Sequence, residues 1–188
     1  MKVYLAGPDV FFPDAEAMAA AKKRICAAHG LEGVFPTDPR ADAAADAADA
    51  LWYAIYLRNE AHIRACDALI ANLTPFRGPS ADAGTVYELG FMRALGRPVL
   101  GYTNVAEDFA QRTLRALGGH ATRNAAGRWV DGEGLALEEF GLTDNLMIDG
   151  GIRAAGGLLR RQPVPADARW SDLSGFEACV RALAAMAR

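Results

Sequence analysis

The stretch DALIANLTPFRGPSADAGTVYELGFMRALGRPVLGYT, residues 67–103, decides the fold. DALIANL (67–73) is the most strand-like segment of the chain, a short apolar run bounded by turn-forming residues. TPFRGPSA (74–81), rich in Pro and Gly, reads as a loop. A helix is expected over 83–96, followed by a strand in RPVLGYT (97–103). Short apolar strands alternating with helices call for an open, mostly parallel sheet with helices on both faces.

The flanking sequence continues the alternation. KVYLAG (2–7) is a first strand ending in Gly-Pro, and Asp14 can cap a helix that runs to His29 and stops at Gly30. EGVFP (32–36) reads as a second strand, TDPRAD (37–42) as a loop, and 43–66 as a long helix. On that helix Trp52, Tyr56, Ile63 and Cys66 form one apolar stripe, with the amide of Asn59 inside it. A polar amide on a packed face must be hydrogen-bonded or line a cavity. Past 103 the pattern weakens. A helix is expected over 106–117, a loop or short hairpin over 120–134, a short apolar element over 138–149 and a surface connector over 160–172. Ser174 and Glu177 have the spacing of a capping box for a last helix reaching about Ala187.

Composition narrows the class. The 188 residues suit a single α/β domain, and 52% hydrophobic with 23% charged residues is ordinary for a globular chain. A net charge of −3 gives no basic footprint for a nucleic acid polymer. The opening MKVYLAGP is too short for a signal peptide and no stretch approaches a membrane span, so a cytoplasmic protein with no membrane partner is expected. Cys26, Cys66 and Cys179 are far apart among apolar residues and read as inert buried thiols; His29, His62 and His120 show no metal-ligand spacing. Neither a metal nor a cofactor is expected. No G-x-G-x-x-G follows the first strand and no phosphate-binding P-loop occurs.

In an open parallel sheet the ligand lies beyond the C-terminal strand ends, which singles out the loops 7–13, 36–42, 74–82 and 103–106. The helix after the third of these carries a lone carboxylate, Glu88, whose neighbours on the same face are Gly84, Thr85, Phe91 and Met92. Val86, Tyr87, Leu89, Phe91, Met92 and Leu95 make the helix look packed on most sides, so a carboxylate there is costly unless it faces a polar cavity. Gly84 leaves room beside it for a sugar-sized ligand. Asp82 stands where the helix starts, as an N-cap that can also touch a ligand. Six residues of helix rise about 9 Å, so spacing alone does not make Asp82 and Glu88 a glycosidase pair.

KVYLAGPDVF (2–11), DALIANLTPFRGPSADAGTVYELGFMRALGRPV (67–99) and FGLTDNLMID (140–149) together resemble the nucleoside 2-deoxyribosyltransferases. The resemblance covers about 2–149; the connector and helix of 150–188 add nothing to it. It implies a flavodoxin-like fold and a homo-oligomer whose subunits complete each other's sites. It also implies a double displacement between deoxyribonucleosides and free nucleobases, in which Glu88 attacks C1′ and holds the sugar as an ester. Tyr4 matches the residue that orients the nucleophile, and Asp82 one that helps bind substrate. Asn145 and Met147 match residues supplied by the neighbouring subunit. Asn59 aligns where some members carry an acidic group credited with handling the leaving base, so the resemblance leaves proton delivery to the base, and base preference, open. Gly7, Phe11 and Asp38 on strand-end loops, and Gly84, complete the expected substrate contacts.

Two rivals stand beside this reading. An N-glycosidase acting on nucleosides or their 5′-monophosphates shares the fold and the Glu, but Asp9 in the first loop is expected to repel a phosphate. A nucleotide-sensing binding module without turnover is the other.

Overall fold

The computed structural model describes residues 1–39 and 50–186. Five strands form one parallel sheet: β1 (Lys2–Ala6), β2 (Glu32–Val34), β3 (Ala68–Asn72), β4 (Val99–Thr103) and β7 (Leu159–Arg161). Their order is β2-β1-β3-β4-β7, the flavodoxin-like arrangement, whose direction of winding reverses between β1 and β3. A separate two-stranded hairpin pairs β5 (Thr122–Arg123) with β6 (Trp129–Val130), as one of the two expected forms of that segment.

Side chains on a strand alternate between the two faces, and that alternation assigns the helices. Val3 and Leu5 of β1, Ile70 of β3 and Leu100 and Tyr102 of β4 pack against α1 (Ala15–Ala28) and α6 (Ser174–Met186), through Cys26, Phe176, Cys179 and Leu183. Tyr4, Ala6, Leu69, Ala71 and Val99 face the opposite way, toward α2 (Leu51–Ala65), α3 (Ala83–Ala94) and α5 (Leu146–Ala154). The second face is tight at β4. A Cβ on Gly101 would come within 2.8 Å of Leu73 and 3.0 Å of Ile152, so α5 can approach only over a glycine. The three cysteines are buried, and burial pushes the Cys26 thiol up to about 11 and the Cys179 thiol up to about 12.

Several local expectations are corrected. β2 stops at Val34 because Phe35 turns its N–H to the Asp38 carboxylate at 3.0 Å. Of the helix expected over 43–66, residues 43–49 lie outside the described residues; the described helix starts at Leu51. Its apolar stripe is only half core: Ile63 is buried, whereas Trp52 is 71% exposed and Tyr56 is also exposed. The α3 helix is likewise not packed on most sides, since Ala83, Gly84, Tyr87 and Gly90 are exposed. Asp14 sits at the start of α1 but makes no side-chain cap bond. The Ser174–Glu177 box does not form either. The Ser174 hydroxyl and N–H both go to the stronger acceptor, Asp172, at 2.5 and 2.9 Å, and Glu177 pairs with Arg181. The connector expected over 160–172 begins instead as β7, a short polar edge strand whose bonds to β4 replace the apolar pattern a central strand would show.

Between β4 and β7 the chain also passes through α4 (Phe109–Ala116), capped by a reciprocal Asp108–Gln111 box. Arg112 on this helix is buried. It donates to the carbonyls of Pro79, Glu107 and Thr143 at 2.6–2.7 Å and pairs with Asp144, whose carboxylate in turn accepts from Ser80 Oγ and Ala81 N–H.

Candidate active site

The sheet face that receives α3 is the one to which β1 directs Tyr4. Its hydroxyl donates to Glu88 Oε1 at 2.7 Å, joining residues 84 positions apart. Burial is the main cause that raises the Glu88 carboxyl from 4.5 to about 7; the Tyr4 bond lowers it and the nearby Asp82 charge raises it. Tyr4 is fully buried. Burial first, and the Glu88 carboxylate second, push its phenol far above the ordinary range, so it stays a donor.

Asp82 caps α3. Its Oδ2 accepts from the Thr85 N–H at 2.9 Å and the Thr85 hydroxyl at 3.0 Å, while the residue also lines the cleft that holds Glu88. That cleft measures about 300 Å³. Gly7, Phe11, Asn59, Asp82, Gly84 and Glu88 line it, so six of the expected contacts meet there, with Tyr4 reaching it through its bond to Glu88. Gly7 is needed for close packing, because a Cβ would fall 2.2 Å from Asp9 Oδ2 and 2.8 Å from Asn72 Cβ. Phe11 is more than half exposed and stacks on Phe76 at 5.3 Å, with the Arg77 guanidinium over both rings.

Three expected residues are not brought to this cleft within the chain. Asp38 binds Lys23 and the Phe35 N–H and lines a different depression with Lys2 and His62. Its carboxylate is committed to closing the turn after β2. Asn145 caps α5, accepting from the Met147 N–H at 3.0 Å and donating to Glu138. Both Asn145 and the 73%-exposed Met147 line a separate groove of about 680 Å³ against the other side of α3.

The charge assigned to Asp9 is also corrected. Asp9 points inward, 1% exposed, and forms an ion pair with equally buried Lys22 at 2.8 Å; Asn72 donates to its other oxygen at 3.2 Å. It presents no net charge to the cleft, so the repulsion expected against a phosphate is absent.

Two features were missed in the sequence. Arg58 lines the cleft beside Asn59, one residue off the apolar stripe. A second depression, about 360 Å³, adjoins the cleft at Asn59, Gly84 and Glu88 and is walled by Trp52, Tyr56 and Tyr87. At its edge Glu60 accepts from the hydroxyls of Tyr56 at 2.6 Å and Tyr87 at 2.9 Å, which hold its carboxyl below the usual range. The signal for both was a helix carrying aromatic and charged residues where a core helix would have Leu or Val.

The geometry is that of a shielded carboxylate held by a phenol beside a ligand-sized space. The family described as nucleoside 2-deoxyribosyltransferase matches residues 3–147. The chain belongs to this family. A 2-desoxiribosyltransferase from Leishmania mexicana is 33% identical, with 78% of this chain and 84% of that one covered and a TM-score of 0.55. An uncharacterized protein of Schizosaccharomyces pombe is 34% identical over 168 residues, covering 84% of this chain and 79% of its own. A conserved protein from Enterococcus faecalis V583, 21% identical, shares the fold across 97% of this chain and 98% of its own, with a TM-score of 0.54. Among the described residues no group of three or more His, Cys, Asp or Glu could hold a metal, and no helix is long and apolar enough to cross a membrane.

Proposed function

We propose that this nucleoside 2-deoxyribosyltransferase family member exchanges the base of 2′-deoxynucleosides by a retaining double displacement through an ester on Glu88. The observation that carries the reading is the Tyr4–Glu88 hydrogen bond inside the cleft, which fixes one carboxylate oxygen and leaves the other for chemistry. Ionised Glu88 approaches C1′ as it gains oxocarbenium character. The C1′–N bond breaks with its electron pair going to the base, and the Glu88 oxygen–C1′ bond forms. A second base then attacks C1′ from the vacated side and loses its N–H proton to solvent, while the carboxylate leaves. Two inversions give net retention. No cofactor enters this balance.

The reading includes a homo-oligomer in which Asn145 and Met147 of one subunit reach the sugar held by another. The exposed aromatic and apolar residues of α2 and α3, together with the exposed Met147, support a face that meets a second copy. Asp82 grips the sugar while capping α3. A cytoplasmic location goes with free nucleosides and bases as substrates.

The test is to mix one 2′-deoxynucleoside with a second base and follow the new nucleoside. Glu88→Ala should abolish exchange in a folded protein, and near-normal turnover in that variant would end the reading. Mixing Glu88→Ala with Asn145→Ala protomers should restore some activity if Asn145 acts across subunits. A second reading, hydrolysis of nucleosides or their 5′-monophosphates, gains from the neutralised Asp9–Lys22 pair beneath the first loop. It would release free sugar with no second base present. A binding module would do neither.

A further inference from the structure

Buried polar side-chain atoms almost always find a partner, so those that do not need a reason. Among the described residues four lack one: Arg58 Nε, Asn59 Oδ1, Thr103 Oγ1 and Asn104 Oδ1. The first two belong to consecutive residues of α2 and both line the Glu88 cleft. One is a cationic donor, the other an amide end whose oxygen and nitrogen can exchange places. Left dry and unpaired, such groups carry an uncompensated desolvation cost, which a ligand offering the complementary atoms would recover. Arg58 and Glu88 line the same cleft of about 300 Å³, so a base leaving a sugar at Glu88 departs into the space the guanidinium faces.

Breaking the C1′–N bond leaves the electron pair on the base. Somewhere that charge must be met, by a proton or by a fixed positive group. An amide at position 59 cannot supply a proton. Arginine cannot either, since it stays charged throughout, but it forms strong charge-assisted hydrogen bonds to a developing anion.

We propose that Arg58 is a catalytic residue that donates through its guanidinium to the departing nucleobase and offsets the charge it gains, while the Asn59 amide reads the base's hydrogen-bonding edge. The base leaves as an anion held by Arg58 and takes its proton from solvent. Leaving-base activation is then electrostatic, with no general acid, and favours bases with an acceptor near the glycosidic nitrogen. This assignment rests on the double displacement proposed above.

The test compares donors whose bases differ in acidity, such as 2′-deoxyuridine with 5-fluoro-2′-deoxyuridine. Arg58→Gln should slow the poorer leaving group by about 10²–10³-fold, the usual loss for one preorganised donor to a developing anion, and the more acidic base much less. A structural role would slow every donor by the same factor, and that result overturns the proposal while leaving the transferase intact. Absence of turnover by the unmodified protein with any donor removes the transferase reading and this proposal together. Asn59→Asp provides a second readout that does not depend on the fold tolerating a change at Arg58. Installing an acid should raise the rate with the poorer leaving group, relative to the native chain at the same pH, and leave the acidic base unchanged; equal responses would count against a base-centred role.

Discussion

Replacing Glu88 by Gln should stabilise the fold, and by an amount that depends on pH. Burial raises the Glu88 carboxyl from 4.5 to about 7. Its folded pKa therefore lies above its unfolded one. The stabilising influence of the protonated form is fully present below 4.5 and is lost as pH rises through about 7. A shift of about 2.5 units, at 1.36 kcal/mol per unit, makes the ionised carboxylate cost about 3 kcal/mol above neutrality, an upper bound because the side chain keeps an opening to the cleft. Gln is neutral at every pH and its carbonyl can still accept from Tyr4. Between about pH 5 and pH 8 the advantage of Glu88→Gln over the native chain should grow by roughly 2.5 kcal/mol, or roughly 5–10 °C in Tm. Thermal and urea denaturation of both proteins at the two pH values measures this. An advantage that does not change with pH would mean Glu88 is not held near 7 and would refute the argument from burial.

If Glu88 acts as the ionised nucleophile, kcat/KM should rise with pH through about 7. Tyr4→Phe removes the bond that lowers Glu88, so the midpoint of that limb should move higher and the plateau should fall; an unmoved midpoint would separate Tyr4 from the carboxylate. Lys22→Met leaves Asp9 buried without its cation and should cost about 3–5 kcal/mol by urea denaturation, with the Asp9→Asn/Lys22→Met pair recovering most of it. Gly7→Ala places a methyl group against Asp9 and Asn72, both already held in bonds, and should cost about 1–3 kcal/mol by thermal denaturation with a loss of turnover.

Much of this site was legible in residues 67–103 and 2–7. Alternation along a strand puts Tyr4 on the face opposite Val3 and Leu5, and the loop-to-helix step at Asp82 fixes where Glu88 points. The same strand logic failed at β7, whose LRR sequence has one apolar residue, Leu159, packed against the core beside the backbone pairing. Asp9 was misread because its partner lies 13 residues on, midway along the following helix α1, where the pattern of the first loop carries no information. Apolar residues on α2 and α3 said that these faces avoid water, but not that the single chain leaves Trp52 and Tyr87 uncovered. Arg58 stayed hidden because a charged residue beside an apolar stripe ordinarily faces solvent.

Arg112 carries a consequence for how this chain tolerates change in length. One side chain clasps the loop that precedes Asp82, the loop after β4 and the segment that leads into Asn145. The hairpin between α4 and α5 closes on itself instead, through β5–β6 and the Val130–Ala136 bridge. Residues inserted or removed at its tip, around Asn124–Gly127, leave the clasp and both site-bearing segments where they are. That tip is the place to graft a fluorophore, an epitope or a surface tether while keeping the Glu88 cleft in register.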